Sequence, residues 1–396
     1  MDIQANARTD APALITKTLA ERVLAEYFGG PVKLGEGRDL GGSNRSKVWR
    51  FSISEGPASV PASVIVKRVS LETCDAETGD DAVWMLFNDW ASLQFLCTLE
   101  TPVPFAPTFY GGVREAGMFV MEDLGDGAQL DHLLLGNDAQ AAEAGLLEYA
   151  EVHGRLHALS MGRQEEYRRI REALGPATPS AIHASYDWLF PTLHSMAEQL
   201  GVPLQPGVDE ELTRLAATLS EPGPFHVFIQ ADAAPDNCIR HDGHLRLLDF
   251  EGARYAHALL EGVYCRMPFP TCWCVYRIPE AIMQRAENAY RTELARACPA
   301  ASDDTLFCHG VAEVCIYWSL SFQAWMCPLE EMLVQEHHSV ALTDRQRSLL
   351  YVQAAARAAE EFNHFRALST TLRAIADELA ARWPEAVEPP YYPAFR

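Results

Sequence analysis

Three side chains in the second half of the chain have the types and spacing that phosphoryl transfer calls for. Asp232 and Asn237 stand five positions apart in Phe225-His-Val-Phe-Ile-Gln230-Ala-Asp232-Ala-Ala-Pro-Asp-Asn237, and Asp249 follows twelve residues later in Leu247-Leu-Asp249-Phe-Glu251. Transfer of a phosphoryl group asks little covalent work of a protein. It needs a residue that receives or steers the proton of the acceptor hydroxyl, and oxygen ligands that hold Mg²⁺ on the nucleotide. Asp232 suits the first task; Asn237 and Asp249 suit the second, because Mg²⁺ prefers hard oxygen donors. Asp, Asn and Pro also favour turns for local reasons, so Asp232 and Asn237 taken alone read as an ordinary turn.

The surrounding elements give the spacing its meaning. Phe225–Ile229 is a short apolar run suited to a strand that ends at the Asp232 loop. Cys238–Arg240 and Leu245–Leu248 read as two strands around the turn His241-Asp242-Gly243-His244. A hairpin returns its second strand beside its first, so Asp249 would come back near Asn237.

This stretch resembles the catalytic segment of the aminoglycoside phosphotransferase and choline kinase-like branch of the protein-kinase fold. The pattern there is H-G-D-x-x-x-x-N followed by D-x-D or D-x-E. The chain keeps the Asp, the Asn and the final D-x-E at that spacing, but has Gln230 and Ala231 in place of His and Gly. In the family the His position supports the loop and is not the base, so the exchange bears on loop geometry more than on chemistry. Glu251 stands where protein kinases carry the Gly of D-F-G, and no A-P-E-type anchor follows Asp249, which favours the small-molecule branch over a protein kinase. The resemblance runs in order from Gly29 to about Pro270 and is loose beyond it.

The resemblance implies a nucleotide-binding lobe ahead of this segment. Val32–Asp39 and Ser46–Ile53 read as strands flanking Gly41-Gly42-Ser43-Asn44, which is similar to the family's G-G-x-S/T-N loop. Such a turn lays backbone N–H groups over phosphates, although the four residues alone also describe a simple hairpin. Ala62–Val69 is an apolar strand interrupted by Lys67, the position of the family's phosphate-pairing lysine. A buried ammonium needs a partner, whereas an edge strand would leave it solvated. The helix expected over Ala82–Leu99 carries Asn88-Asp89-Trp90-Ala91-Ser92-Leu93, which resembles N-E-x-x-x-L and makes Asp89 the acid opposite Lys67, with Asp in place of the usual Glu. Two further strands, Ala106–Val113 and Met118–Gly125, end in an acidic connector. Met121, Glu122 and Asp123 are the residues the resemblance sets against adenine.

The fold expected is therefore α+β and bilobal, protein-kinase-like: residues 1–122 as a small antiparallel sheet lobe with one helix, and residues 123–396 as a larger, mainly helical lobe. Helical patterns cover Ala139–Met161, Tyr186–Leu200, Val208–Ser220, Pro279–Ala297, Asp304–Met326, Gln346–Phe365 and Thr370–Arg382. Roughly the first ten residues read as loose, and Pro389–Arg396 as a rigid extended tail. His157, in a stretch like the family's L-x-x-L-H-x-L helix, reads as a support for the catalytic loop. His153 with His157, and His337 with His338, also have ligand-like spacings.

Composition narrows the partners. With 32 basic and 54 acidic residues the net charge is −22, which argues against nucleic acid and against anionic membrane surfaces. No run of about 20 apolar residues occurs, and the opening lacks a signal-peptide core. The ten scattered cysteines read as reduced thiols of a cytoplasmic protein. Cys272, Cys274 and Cys265 lie close in sequence but complete no zinc set. The expected activity is transfer of phosphate from ATP, with GTP left open, to a hydroxyl of a small molecule in the presence of Mg²⁺. The acceptor is aminoglycoside-, choline- or antibiotic-like in class. Trp273, Tyr276, Trp318, Trp325 and Glu313 fall in regions suited to an ammonium-bearing acceptor, and equally to core packing. The other class of function is a nucleotide-binding scaffold without transfer, motivated by Gln230 and Ala231. Oligomeric state has no signature in the sequence.

Overall fold

The computed structural model of the chain describes residues 3–42, 46–69, 81–175, 185–337 and 341–396. Ser43, Asn44 and His338 lie outside the described residues. The chain forms two compact units: Met1–Gly127 with Glu165–Thr178 and His241–Ala253, and Ala128–Gln164 with Pro179–Arg240 and Arg254–Arg396.

The first unit is built on five strands, β1 (Lys33–Asp39), β2 (Ser46–Glu55), β3 (Ser63–Val69), β4 (Phe109–Val113) and β5 (Met118–Glu122). They pair antiparallel in the order β1-β2-β3-β5-β4. Strand side chains alternate between faces. Val64 and Val66 of β3 therefore join Phe51, Met118 and Val120 in a core closed by Ala20, Val23 and Leu24, while Lys67 falls on the opposite parity. Those three residues belong to helix α1 (Ile3–Phe28). The sequence reading expected one helix beside the sheet and a loose start; the helix instead runs from Ile3. Once its carboxy-terminal turns are anchored in the core, an alanine-rich segment extends at little cost per residue. A second helix, α2 (Asp81–Leu96), lies where the pattern placed it.

The second unit is mainly helical. Its long helices are Ala139–Ser160, Leu189–Leu200, Val208–Ser220, Glu280–Leu294, Asp304–Ser321, Asp344–Glu361 and Arg366–Arg382. Local chemistry sets several starts. Asp138 accepts from the Gln140 and Ala141 amides, and Thr343 with Gln346 forms a capping box. Helices Ala139–Ser160 and Glu280–Leu294 pack so closely at Gly154 that a Cβ there would lie 2.5 Å from the Tyr290 carbonyl oxygen. The helix expected through Met326 ends at Ser321 and passes into a π-helical turn, Phe322–Met326, with Pro328 just beyond it. The expected extended tail is a docked one. The Arg277 amide donates to Pro390, the Tyr392 amide donates to Arg277, Tyr392 is wholly buried, and Pro393–Phe395 forms a 3-10 turn. The architecture is α+β, a small antiparallel sheet with helices followed by a larger helical part, as the sequence pattern requires.

One strand pair in the second unit makes acid stability predictable. His226–Ile229 pairs antiparallel with Arg254–His257, and His257 is 1% exposed. Burial, with a smaller contribution from His226, pushes its pKa down to about 3. The unfolded chain takes up a proton near the ordinary value of about 6.5, which the native state refuses until about 3. Stability is thus full above that ordinary value and is lost as pH falls toward 3. Denaturant titrations at pH 7 and pH 4 should show His257→Asn losing about 3 kcal/mol less than the parent over that interval. An unchanged pH slope would refute the assignment.

Candidate active site

In the first unit the residues singled out by sequence assemble around one ammonium. Lys67 Nζ lies 2.7 Å from Asp89 Oδ2, 2.8 Å from Glu251 Oε1 and 3.5 Å from Asp249 Oδ1. Parity on β3 turns Lys67 away from the α1 face, and α2 supplies Asp89 to meet it. The Lys67 and Asp89 side chains are 9% and 4% exposed, whereas Asp249 is 44% exposed. Burial pulls the Lys67 pKa down, but Asp89, Asp249 and Glu251 more than reverse this and the net shift is upward. Burial raises the Asp89 pKa above its ordinary value, Lys67 opposes, and Asp249 and Glu251 push it further up. The three carboxylates lie within 4.8 Å of one another. Against one ammonium they leave a formal excess of two negative charges, a setting that favours a further cation with a taste for hard oxygen.

The loop holding Asp249 and Glu251 is fixed by residues the sequence reading did not single out. Asp249 has φ 59°, and the next amide, Phe250 N–H, donates to Asp89 Oδ1 at 3.2 Å. Asn88 points its amide nitrogen at the carbonyls of Phe250, Glu251 and Ala253, at 3.3, 2.9 and 2.7 Å. Tyr167 in turn donates to Asn88 Oδ1 at 2.9 Å. Asn88 stood in the motif that drew attention to Asp89; Tyr167, 79 positions away, left no trace in the sequence.

The other residues proposed for this unit take the following positions. Gly41 and Gly42 turn the chain from β1 to β2 with φ of 89° and 130°, and a Cβ on Gly42 would meet the Ser46 carbonyl oxygen at 2.3 Å, so the turn requires glycine. Asp123 accepts from Ser63 Oγ at 2.6 Å and pairs with Arg50 Nε at 2.8 Å. Glu122 accepts from the amide and hydroxyl of Thr108, and its own amide donates to the Thr108 carbonyl. Met121 sits in register between Ile65 and Phe109.

In the second unit Asp232 and Asn237 meet. Asn237 Nδ2 donates to Asp232 Oδ2 at 3.1 Å and to its carbonyl at 3.0 Å. Pro235–Asn237 is a 3-10 turn, which carries the asparagine back over the aspartate. The loop rests on a buried polar network. Glu261 accepts from the Ala231 amide at 2.6 Å and faces His157 Nε2 at 2.9 Å; His157 Nδ1 meets the Tyr290 hydroxyl at 2.8 Å. Burial would raise the Glu261 pKa, but His157, His153 and the Ala231 amide together bring it below its ordinary value. Gln230 is wholly buried and faces His153 Nε2 at 3.3 Å, and Tyr149 donates to the Ala233 carbonyl at 2.8 Å. Glu261 was missed by the sequence reading, although a lone carboxylate inside the apolar run Ala256–Val263 is a legible sign.

Ala231 keeps the loop's shape without glycine, at φ 74°. An L-residue in the left-handed region costs about 1–2 kcal/mol. Ala231→Gly should therefore raise the unfolding free energy by about 1 kcal/mol in urea titration; a loss of stability would show that the conformation is unstrained.

The aromatic set divides. Trp318 donates to the Leu260 carbonyl, Glu313 accepts from His364, and Tyr276 packs edge-on against Tyr392. Trp273 and Trp325 are exposed, and Trp273 Nε1 donates to Asp236 Oδ2 at 3.0 Å, inside the Asp232–Asn237 turn. The thiols of Cys272 and Cys274 are 3.1 Å apart and buried. Among the described residues the one group of three or more metal-type ligands is Asp89, Asp249 and Glu251, and no helix is long and apolar enough to cross a membrane.

Comparisons with known proteins bear on the family. No curated protein matches the chain. Solved structures to which the chain is similar include a thermostable mutant of aminoglycoside phosphotransferase APH(4)-Ia in ternary complex with ADP and hygromycin B, at 13% identity and TM-score 0.41, covering 90% of this chain and 98% of that one. The choline kinase of Cryptosporidium parvum Iowa II is 12% identical with TM-score 0.43, covering 89% and 91%. The ADP-bound aminoglycoside phosphotransferase APH(2'')-Ib is 13% identical with TM-score 0.43, covering 88% and 95%. The model of the phosphotransferase enzyme family matches residues 89–296, a span that takes in Asp89, Asp232, Asn237 and Asp249 and begins after Lys67. With more than half of its length matched, the chain belongs to the phosphotransferase enzyme family.

Proposed function

We propose that the protein transfers the terminal phosphoryl group of ATP to a hydroxyl of a small molecule, with Mg²⁺. The observation that carries this reading is the buried Lys67 held against Asp89 while a more exposed Asp249 and Glu251 complete the cluster. Such an ammonium is preorganised for the α/β-phosphates, and Asp89 orients it. Asp249 and Asn237 are assigned to the metal, with Glu251 assisting; their hard oxygens and the excess negative charge at the cluster suit Mg²⁺. When bound, the ion would neutralise charge on the phosphates. Asp232 is assigned to accept or steer the proton of the acceptor hydroxyl, and Asn237 Nδ2 fixes the rotamer that would do so. The Gly41–Asn44 turn is assigned to the phosphates and Met121–Asp123 to adenine, which divides the chain functionally near Asp123. Exposed Trp273, tied to Asp236, favours an acceptor with a cationic or flat apolar part.

The test is consumption of Mg²⁺-ATP against pooled alcohols, amino sugars, macrolides and nucleosides, with Asp249→Ala as the blank. Acceptor-dependent consumption above that blank is expected. ATP binding with no acceptor-dependent consumption would replace this reading with a nucleotide-binding scaffold.

A further inference from the structure

The second unit contains a cavity of about 260 Å³ where Arg266, Arg277 and Arg357 meet. In a chain of net charge −22, three guanidinium groups on one cavity are unexpected on composition alone. Their partners differ. Arg266 is neutralised by both oxygens of Glu287, at 2.7 and 2.9 Å, and by Glu361 at 3.0 Å. Arg277 donates to the Tyr391 hydroxyl at 3.0 Å and to the Pro389 carbonyl at 3.5 Å, neither of which carries charge. The Arg357 side chain makes no hydrogen bond or ion pair among the described residues. The remaining lining carboxylate, Glu280, accepts from Gln284. Two carboxylates, Glu280 and Glu361, line the cavity; Glu361 is engaged by Arg266, which leaves Glu280 against Arg277 and Arg357.

Arginines set this close repel one another. The Arg357 pKa is lowered, first by partial desolvation and then by Arg373, Arg277 and Arg266, with Glu280 opposing. The residue is nonetheless exposed, so its guanidinium is open to an anion arriving from solvent, which would relieve the repulsion as well as bond to the forks. The planar fork matches carboxylate and phosphate oxygens in pairs. The rest of the wall is apolar or aromatic, including Met283, Leu350 and Tyr391, which suits a carbon body attached to the anionic group. No residue of the Asp232–Asn237 turn lines the cavity.

We propose that this cavity binds a small organic oxyanion, a phosphate monoester or a carboxylate, through Arg357 and Arg277, with its carbon part against Met283 and Leu350.

Calorimetric titration of the full chain with phenyl phosphate, benzoate and benzyl alcohol at one ionic strength tests it. Saturable binding of at least one anion is expected, with none of the neutral alcohol; which anion binds better identifies the head group. Arg357→Gln should weaken that binding at least tenfold, an effect the size of one lost charge-assisted pair. Arg382→Gln, whose parent side chain pairs with Glu378 and does not line the cavity, should bind as the parent does. Because Arg357 makes no structural bond, its variant should keep the parent's thermal midpoint, which separates loss of binding from loss of fold. Absence of saturable anion binding, equal binding of benzyl alcohol, or an Arg357→Gln variant that binds like the parent would each overturn the proposal.

Discussion

Asp232→Asn is expected to leave nucleotide affinity within about twofold while turnover on a true acceptor falls roughly a thousandfold, the scale of a lost general base. The substitution is nearly isosteric and still offers Asn237 an acceptor oxygen in place of Asp232 Oδ2, so the 3.1 Å contact survives and the 3-10 turn with it. What disappears is the capacity to hold a proton at that atom. Steady-state kinetics beside an equilibrium nucleotide titration separates the two. Parent-like turnover would remove Asp232 from its assigned role. An equal fall in nucleotide affinity and turnover would mean that the carboxylate acts on binding instead.

Lys67→Met should be the most damaging single change to the fold. It preserves length and apolar stem but strands three carboxylates within 4.8 Å, one of them buried. Removing one partner of a buried ion pair costs about 3–5 kcal/mol, and here two further anions add to the penalty. The sign of the pH response identifies the cause. Without the ammonium, Asp89 would hold a folded pKa well above its unfolded value. The penalty is then present above that folded value and is relieved as pH falls toward the ordinary carboxylate range, so the gap between variant and parent should narrow as pH falls. Adding Asp89→Asn should restore more than half of the loss. Chemical denaturation of the parent, both single variants and the double variant at two pH values supplies the cycle. A double variant no more stable than Lys67→Met would show that the loss comes from packing.

How far the site could be read in advance depended on the distance over which each relation acts. Lys67 was legible because strand parity is a period-two property of seven neighbouring residues. The Asp232–Asn237 contact was legible because five positions and a proline confine the turn. Strands at Cys238–His241 and His244–Leu247 stand where the hairpin was expected for the same reason. The supports were not legible. Glu261 reaches the Ala231 amide across 30 positions, and Tyr167 reaches Asn88 across 79. Such relations are set by how helices pack, and composition near either residue does not encode them. Helix α1 escaped because its apolar stripe is narrow and its first half is held by propagation. The tail was read as extended from its prolines, but its docking depends on Arg277, more than a hundred positions earlier.

The Asn88 amide also makes this part of the molecule sensitive to the exchange of a single atom. Asn88→Asp would change one nitrogen to oxygen with almost no change of shape. A group with two donors would become one with none, facing three carbonyl oxygens at 2.7 to 3.3 Å. Attraction would turn to repulsion, and the segment that carries Asp249 would be released although every side chain on it remained intact. One atom outside the cluster thus decides whether the loop that closes it is held or repelled.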